Sequence, residues 1–246
     1  MIHLSELGKF LSDLLPNELG RTSKKVFWRN KKPLEAKVFA CYLYLHGPSF
    51  RQAKRLLQDL GLEVAHSAIW YWLQQLGEAA KAIKPHKRRR EFLVADETKV
   101  RIRNGWIFVF SAIDPKNREL VALWVTKNRE CMDVLILLKR ALMVCEGKPV
   151  LVTDGGPWYR WPAQRLGLRH EVVSGGIRNS IERWFSTLKD RLRAFDCYFP
   201  TRGLKSIENF CRAFRFFYNR CRWHLSFKGP PSGGEGGLKA WTEVLI

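Results

Sequence analysis

The sequence has no CxxC pair, and none of its six cysteines (Cys41, Cys131, Cys145, Cys197, Cys211 and Cys221) stands at zinc-finger spacing to a histidine. This scatter excludes a finger and an extracellular disulfide framework, and implies buried thiols in a reducing compartment. No apolar run approaches the roughly 18 residues that cross a bilayer, and a basic-then-apolar start is missing. A soluble cytoplasmic protein with no membrane partner is expected. No internal repeat or extended low-complexity run occurs, and the stretch from Lys228, with Pro230-Pro231-Ser232-Gly233-Gly234, reads as a flexible or wrapped extension. Acidic residues are scarce: 23 Asp and Glu face 43 Lys and Arg, for a net charge of +20.

The basic excess is spread along the chain. Residues 1–90 carry 17 Lys and Arg against 7 acids and the remainder 26 against 16, so each part is net +10. Self-repulsion of that size is relieved by a polyanion, and nucleic acid is the leading partner, bound through phosphate neutralisation and counterion release. A small-molecule substrate is not expected.

From Glu35 to Lys84 apolar residues recur at helical spacing, broken by Gly47-Pro48-Ser49 and by Leu60-Gly61-Leu62-Glu63. Three short-jointed helices are predicted, the middle one over Phe50–Leu60 behind Ser49 as N-cap and the third starting near His66 or Ser67. The spacing suits a helix-turn-helix, in which the last helix enters the major groove. His66, Ser67, Trp70 and Tyr71 would then face bases, and Arg51, Lys54 and Arg55 phosphates. The same pattern fits an ordinary three-helix bundle with Trp70 and Leu73 in its core. Ile83 to Arg90, ending in Lys87-Arg88-Arg89-Arg90, reads as a basic linker. The expected domains are 1–90 (helical, DNA-binding, with the linker), 91–228 (catalytic) and 229–246 (tail).

From Glu91 the pattern turns to strands: Phe92–Arg101, Trp106–Ile113 and Leu120–Thr126, separated by the turn signals Asn104-Gly105 and Asp114-Pro115-Lys116-Asn117. A helix over Cys131–Cys145, a strand over Val150–Thr153, a possible fifth strand at His170–Val173, a long helix over Asn179–Ala194 and a last helix over Ile207–Arg222 follow. A meander, a crossover helix and a parallel fourth strand give an α/β, ribonuclease-H-like mixed five-stranded sheet with flanking helices, preceded by a small all-helical domain.

Three acids stand out. Asp96 sits in the apolar run Phe92-Leu93-Val94-Ala95, where a carboxylate is costly to bury without a partner or cation. Asp154 ends Val150-Leu151-Val152-Thr153 and precedes Gly155-Gly156, so it lies at a strand's carboxyl edge, where open sheets place ligands. Neighbouring parallel strands would bring the two carboxylates together, and a hard cation resolves their repulsion. Glu182 lies off the apolar stripe of Ile181, Trp184 or Phe185, Leu188 and Leu192, and shares a face with Arg178, Ser186, Lys189 and Arg193. Glu97 must point to the opposite side of the strand from Asp96, and Asp114 sits in a turn, so neither is assigned to a metal.

The blocks Val94-Ala95-Asp96-Glu97-Thr98, Val152-Thr153-Asp154-Gly155-Gly156 and Arg178-Asn179-Ser180-Ile181-Glu182-Arg183-Trp184-Phe185-Ser186-Thr187-Leu188-Lys189 resemble those of DDE insertion-sequence transposases, in particular the insertion-sequence-six family and its archaeal relatives. The resemblance continues through Phe217-Tyr218-Asn219-Arg220 and His224. The step from Asp154 to Glu182 is 28 residues, shorter than is usual in that family.

What the resemblance implies is metal-dependent DNA strand cleavage and strand transfer, with Asp96, Asp154 and Glu182 holding two Mg²⁺ (or Mn²⁺) ions. It further implies binding to double-stranded DNA, both terminal inverted repeats and target, by a homo-oligomer associated with the nucleoid. Arg178, Lys189 and Arg193 would contact phosphate, Trp158 or Trp184 could stack a base, and Asn219 and His224 would support the active-site face. Two other readings of the same residues are a ribonuclease-H-like nuclease without transposition and a helix-turn-helix regulator.

Overall fold

The computed structural model describes residues 26–27, 32–193, 199, 203–234 and 236–241. They fall into two compact units: one holds the described residues up to Ile83 and those from Asn209 on, the other runs Lys84–Glu208. Among the described residues no helix is long and apolar enough to cross a membrane.

The first unit opens with α1 (Leu34–His46), α2 (Phe50–Asp59) and α3 (His66–Ala79). Ser49 caps α2 as its sequence suggests: its hydroxyl accepts the Gln52 N–H while the Gln52 side chain accepts the Ser49 N–H, at 3.2 and 2.8 Å. A fourth helix, α7 (Leu204–Phe216), sends its residues from Asn209 on into this unit, where a π-helical turn over Phe217–Cys221 follows. Phe210 packs edge-on to Tyr44 and against Trp70. Gly77 is required at the crossing, because a Cβ there would lie 1.9 Å from the Asn209 carbonyl oxygen. The sequence pattern places this last helix in the catalytic region; its partners in the structure are the N-terminal helices, since its apolar face of Phe210, Phe214 and Phe217 finds aromatic neighbours there.

The second unit is built on β2 (Phe92–Ile102), β3 (Gly105–Ile113), β4 (Leu120–Thr126), β6 (Val150–Thr153) and β7 (His170–Val172), in the order β4-β3-β2-β6-β7. β2, β3 and β4 are antiparallel; β6 and β7 run parallel to β2. This is the ribonuclease-H-like sheet. Between β4 and β6 comes α4 (Cys131–Leu142), between β6 and β7 α5 (Pro157–Arg165), and after β7 a 3₁₀ turn (Gly176–Arg178) leads into α6 (Asn179–Arg193). One face packs Leu93, Ala95, Phe110 and Leu151 against Val134 and Leu138 of α4 and Tyr159 of α5. On the other, Trp184 of α6, fully buried, donates its indole N–H to Ser111 at 3.1 Å.

The stretch expected as a basic linker is partly ordered into the core. Arg88–Arg89 form β1, paired in parallel with β5 (Cys145–Glu146). Arg90, 4% exposed, donates to the carbonyls of Val144 and His86 and to Glu119 at 2.8 Å. It has no free face for a phosphate. Its fixed partners, Asp114 and Glu119, lie in and just after the Pro115 turn, too far along the chain for sequence pattern to pair them with it.

Candidate active site

Parallel pairing of β2 and β6 matches Phe92 with Val150, Leu93 with Leu151 and Val94 with Val152. Two residues further on, that register sets Asp96 level with Asp154, on strands spaced about 4.8 Å apart. Both strands end their shared ladder here, so the carboxylates stand where the sheet opens. Gly155 makes the exit: its φ is +88°, and a Cβ would press on Val172 at 2.8 Å. The Asp154 carboxylate accepts the Gly156 N–H at 2.9 Å and remains exposed.

Asp96 faces α6, sharing its side of the sheet with its cross-strand partner Ser111. It accepts the Glu97 N–H at 2.8 Å and the Arg178 guanidinium at 2.8 Å, each side chain of the ion pair being 13% exposed. Burial pushes the Asp96 carboxyl above its ordinary value, against the lowering effect of the Glu97 N–H and of Arg178. A partly buried carboxylate so placed needs a cation, and Arg178 supplies one. Arg178, expected on DNA phosphate, is thus engaged by a catalytic candidate, and it brings the 3₁₀ turn before α6 against Asp96.

Glu182 lies one helical turn beyond Arg178, in the first turn of α6, and is exposed. Among the described residues no group of three or more His, Cys, Asp and Glu is gathered closely enough to hold a metal ion. The strand register therefore sets Asp96 and Asp154 level on neighbouring strands, and the described residues form no closed three-carboxylate cluster. The short step from Asp154 does contain the fifth strand, and the positive φ of Gly175 and Gly176 turns the chain back into α6 within a few residues.

The remaining expected residues divide by unit. On α2 Arg51 and Arg55 are exposed and Lys54 half-buried; at the start of α3 His66, Ser67 and Tyr71 are exposed. Trp70 instead packs edge-on to Phe50 and against Phe210, as the bundle reading has it. Lys189 is exposed on α6 and the Arg193 side chain lies outside the described residues, as does Cys197. Asn219 and His224 belong to the helical unit: the Asn219 carbonyl accepts the Ser232 N–H and hydroxyl, and His224 bridges to Gly229 and packs edge-on to Tyr218. Trp184 is core. Trp158 has an Arg129 guanidinium 3.8 Å over its ring.

Pattern reasoning passes over the group behind Asp96. Glu97 turns to the opposite face, where its carboxylate, 4% exposed, receives Arg129, the Trp158 indole at 3.3 Å and the Tyr159 hydroxyl at 2.6 Å. The adjacent aromatics Trp158-Tyr159, directly after Gly155-Gly156-Pro157, are the signal that could have found it.

The family model of the DDE domain matches residues 92–222. An uncharacterized protein of Methanocaldococcus jannaschii is 32% identical over 197 residues, covering 80% of this chain and 91% of its own length. The transposase for the insertion sequence-like element IS431mec of Staphylococcus aureus is 30% identical over 112 residues, 44% of this chain, which spans about half (49%) of that transposase. Among solved structures, the catalytic core domain of HTLV-2 integrase in complex with magnesium, trimeric form, aligns with a TM-score of 0.46 and 15% identity over 59% of this chain and 96% of its own. The chain belongs to the DDE-domain family of insertion-sequence transposases.

Proposed function

We propose that this protein is a DNA transposase that cuts and joins strands at the ends of an insertion sequence, using Asp96, Asp154 and Glu182 as metal-holding carboxylates. The observation that carries the reading is the register of the parallel pair β2 and β6, which sets Asp96, inside β2, level with Asp154, just past the carboxyl end of β6. Their donor set is all carboxylate oxygen, which suits Mg²⁺ or Mn²⁺, and Asp96 already holds a cationic group at 2.8 Å. Two such ions, when bound, supply Lewis acidity and an activated water or 3′-hydroxyl for in-line attack on phosphorus.

The chain's own part is to position and neutralise. Asp96, Asp154 and Glu182 would together hold the ions. Arg178, paired with Asp96 at 2.8 Å, would contact a DNA phosphate when metal neutralises that carboxylate, and Glu182, in the first turn of α6, would complete the set. Lys189, on the exposed face of the same helix, contacts phosphate further along. Arg51, Lys54 and Arg55 of α2 and His66, Ser67 and Tyr71 at the start of α3 bind terminal inverted repeats, the helical unit serving recognition and the unit Lys84–Glu208 catalysis. Acting on two ends requires a homo-oligomer on DNA, in the cytoplasm.

The test is strand transfer in vitro, with Mg²⁺ and a duplex ending in the inverted repeats that border the gene. The wild-type chain joins that end to target DNA and Asp96→Asn does not. Retained joining by Asp96→Asn sinks the assignment; cleavage without preference for the repeat ends points to a nuclease on the same fold.

A further inference from the structure

Glu97 is nearly buried on the face of β2 away from α6, yet it touches the supports of both aspartates. Its backbone N–H donates to Asp96 at 2.8 Å. Its carboxylate takes the Tyr159 hydroxyl at 2.6 Å and the Trp158 indole N–H at 3.3 Å, both in the first turn of α5. That turn is capped by Gly156, whose N–H holds the Asp154 carboxylate at 2.9 Å. The Trp158 ring also lies tight against Gly156, where a Cβ would meet it at 2.8 Å. Arg129 closes the set, bonded to Glu97 at 2.8 Å and stacked 3.8 Å over the Trp158 ring.

We infer that Glu97 is a positioning residue for the metal site, fixing Asp154 relative to Asp96 by pinning Trp158 and Tyr159 from behind the sheet. The inference rests on the reading of the two aspartates as metal ligands. A carboxylate that accepts four hydrogen bonds, two of them from Arg129, has no lone pair left for a metal, and it sits on the wrong face for one; its role is to hold. Tyr159 is suited to stay a donor, because burial first, and then the Glu97, Asp96 and Asp154 charges, push its hydroxyl well above its ordinary value. Partners behind ligating groups set metal affinity, and their loss weakens binding about 10- to 100-fold.

The experiment is a Mn²⁺ titration of the full chain without DNA, by calorimetry, paired with metal-free thermal melting. The variants are Glu97→Gln, Tyr159→Phe and Asp154→Asn; Tyr159→Phe removes one hydroxyl and keeps the ring in the core. Glu97→Gln and Tyr159→Phe bind Mn²⁺ at least ~10-fold more weakly while Tyr159→Phe melts as wild type. Wild-type affinity in both, with affinity lost in Asp154→Asn, overturns the inference and leaves the metal site standing. Weakening that appears only together with a lowered melting temperature in each variant overturns it as well. Wild-type affinity in Asp154→Asn defeats the metal reading itself.

Discussion

Replacing Arg90 by alanine is expected to destabilise the catalytic unit severely. Its guanidinium, side chain 0% exposed, faces Glu119, also 0% exposed, at 2.8 Å, and approaches Asp114 at 3.5 Å. Arg88 reaches the same Glu119 oxygen at 3.3 Å but is one-third exposed, so it replaces little of the missing charge. Removing one member of a buried pair costs about 3–5 kcal/mol, because the other stays desolvated. The carbonyls of Val144 and His86 lose a donor too. With a urea m-value of about 2 kcal/mol/M, a loss of about 4 kcal/mol moves the unfolding midpoint down by about 2 M. Equilibrium urea unfolding followed by tryptophan fluorescence reads this directly, and the double variant Arg90→Met with Glu119→Leu should recover most of the loss. A single-variant loss below about 1 kcal/mol would mean that Arg90 is solvated, as in a free basic linker.

Gly77→Ala should lower stability by about 2 kcal/mol despite alanine's better helix propensity, since its Cβ would collide with the Asn209 carbonyl; thermal melting checks it. Alanine at Arg51, Lys54 and Arg55 should weaken binding to all duplexes and reduce the log–log salt slope by about 0.9 for each phosphate that is no longer neutralised, measured by fluorescence anisotropy. Burial, and then the Arg222 charge, hold the His46 imidazole below its ordinary value of 6.5. The folded state therefore binds fewer protons than the unfolded one, and stability present above pH 6.5 is lost as pH falls through that value toward the lowered one. In His46→Gln the dependence of melting temperature on pH should flatten in that window.

The strands were legible because their signals are local. The Asn104-Gly105 signal marks a two-residue hairpin whose loop is Arg103-Asn104, with Gly105 already paired to Ile102, and the turn after Ile113 is closed by the Asp114 and Asn117 side chains, which accept the N–H groups of Lys116 and Glu119. Asp96 and Asp154 draw notice for a related reason: one interrupts the apolar run of β2 and the other directly follows that of β6, and it is their joint order with Glu182, more than either acid singly, that points to a site. The pairing of Arg178 with Asp96 spans 82 residues of sequence and that of Tyr159 with Glu97 spans 62, and no periodicity encodes such distances. α5 has no clear helical period in the sequence because Pro157 and Pro162 interrupt it, though Pro157 at the first helical position favours the helix. The burial of Arg90 was hidden inside a run of four basic residues, where composition suggests solvent.

The central claim, that Asp154 and Glu182 ligate divalent metal in DNA cleavage, is tested most directly by a change of metal preference. Both residues are exposed, so cysteine is tolerated sterically at each, and a thiolate binds Mg²⁺ poorly while accepting softer Mn²⁺. Cleavage of terminal-repeat DNA by Asp154→Cys and by Glu182→Cys should vanish with Mg²⁺ and return in part with Mn²⁺. Wild-type cleavage with Mg²⁺ by either variant would contradict its assignment as a ligand.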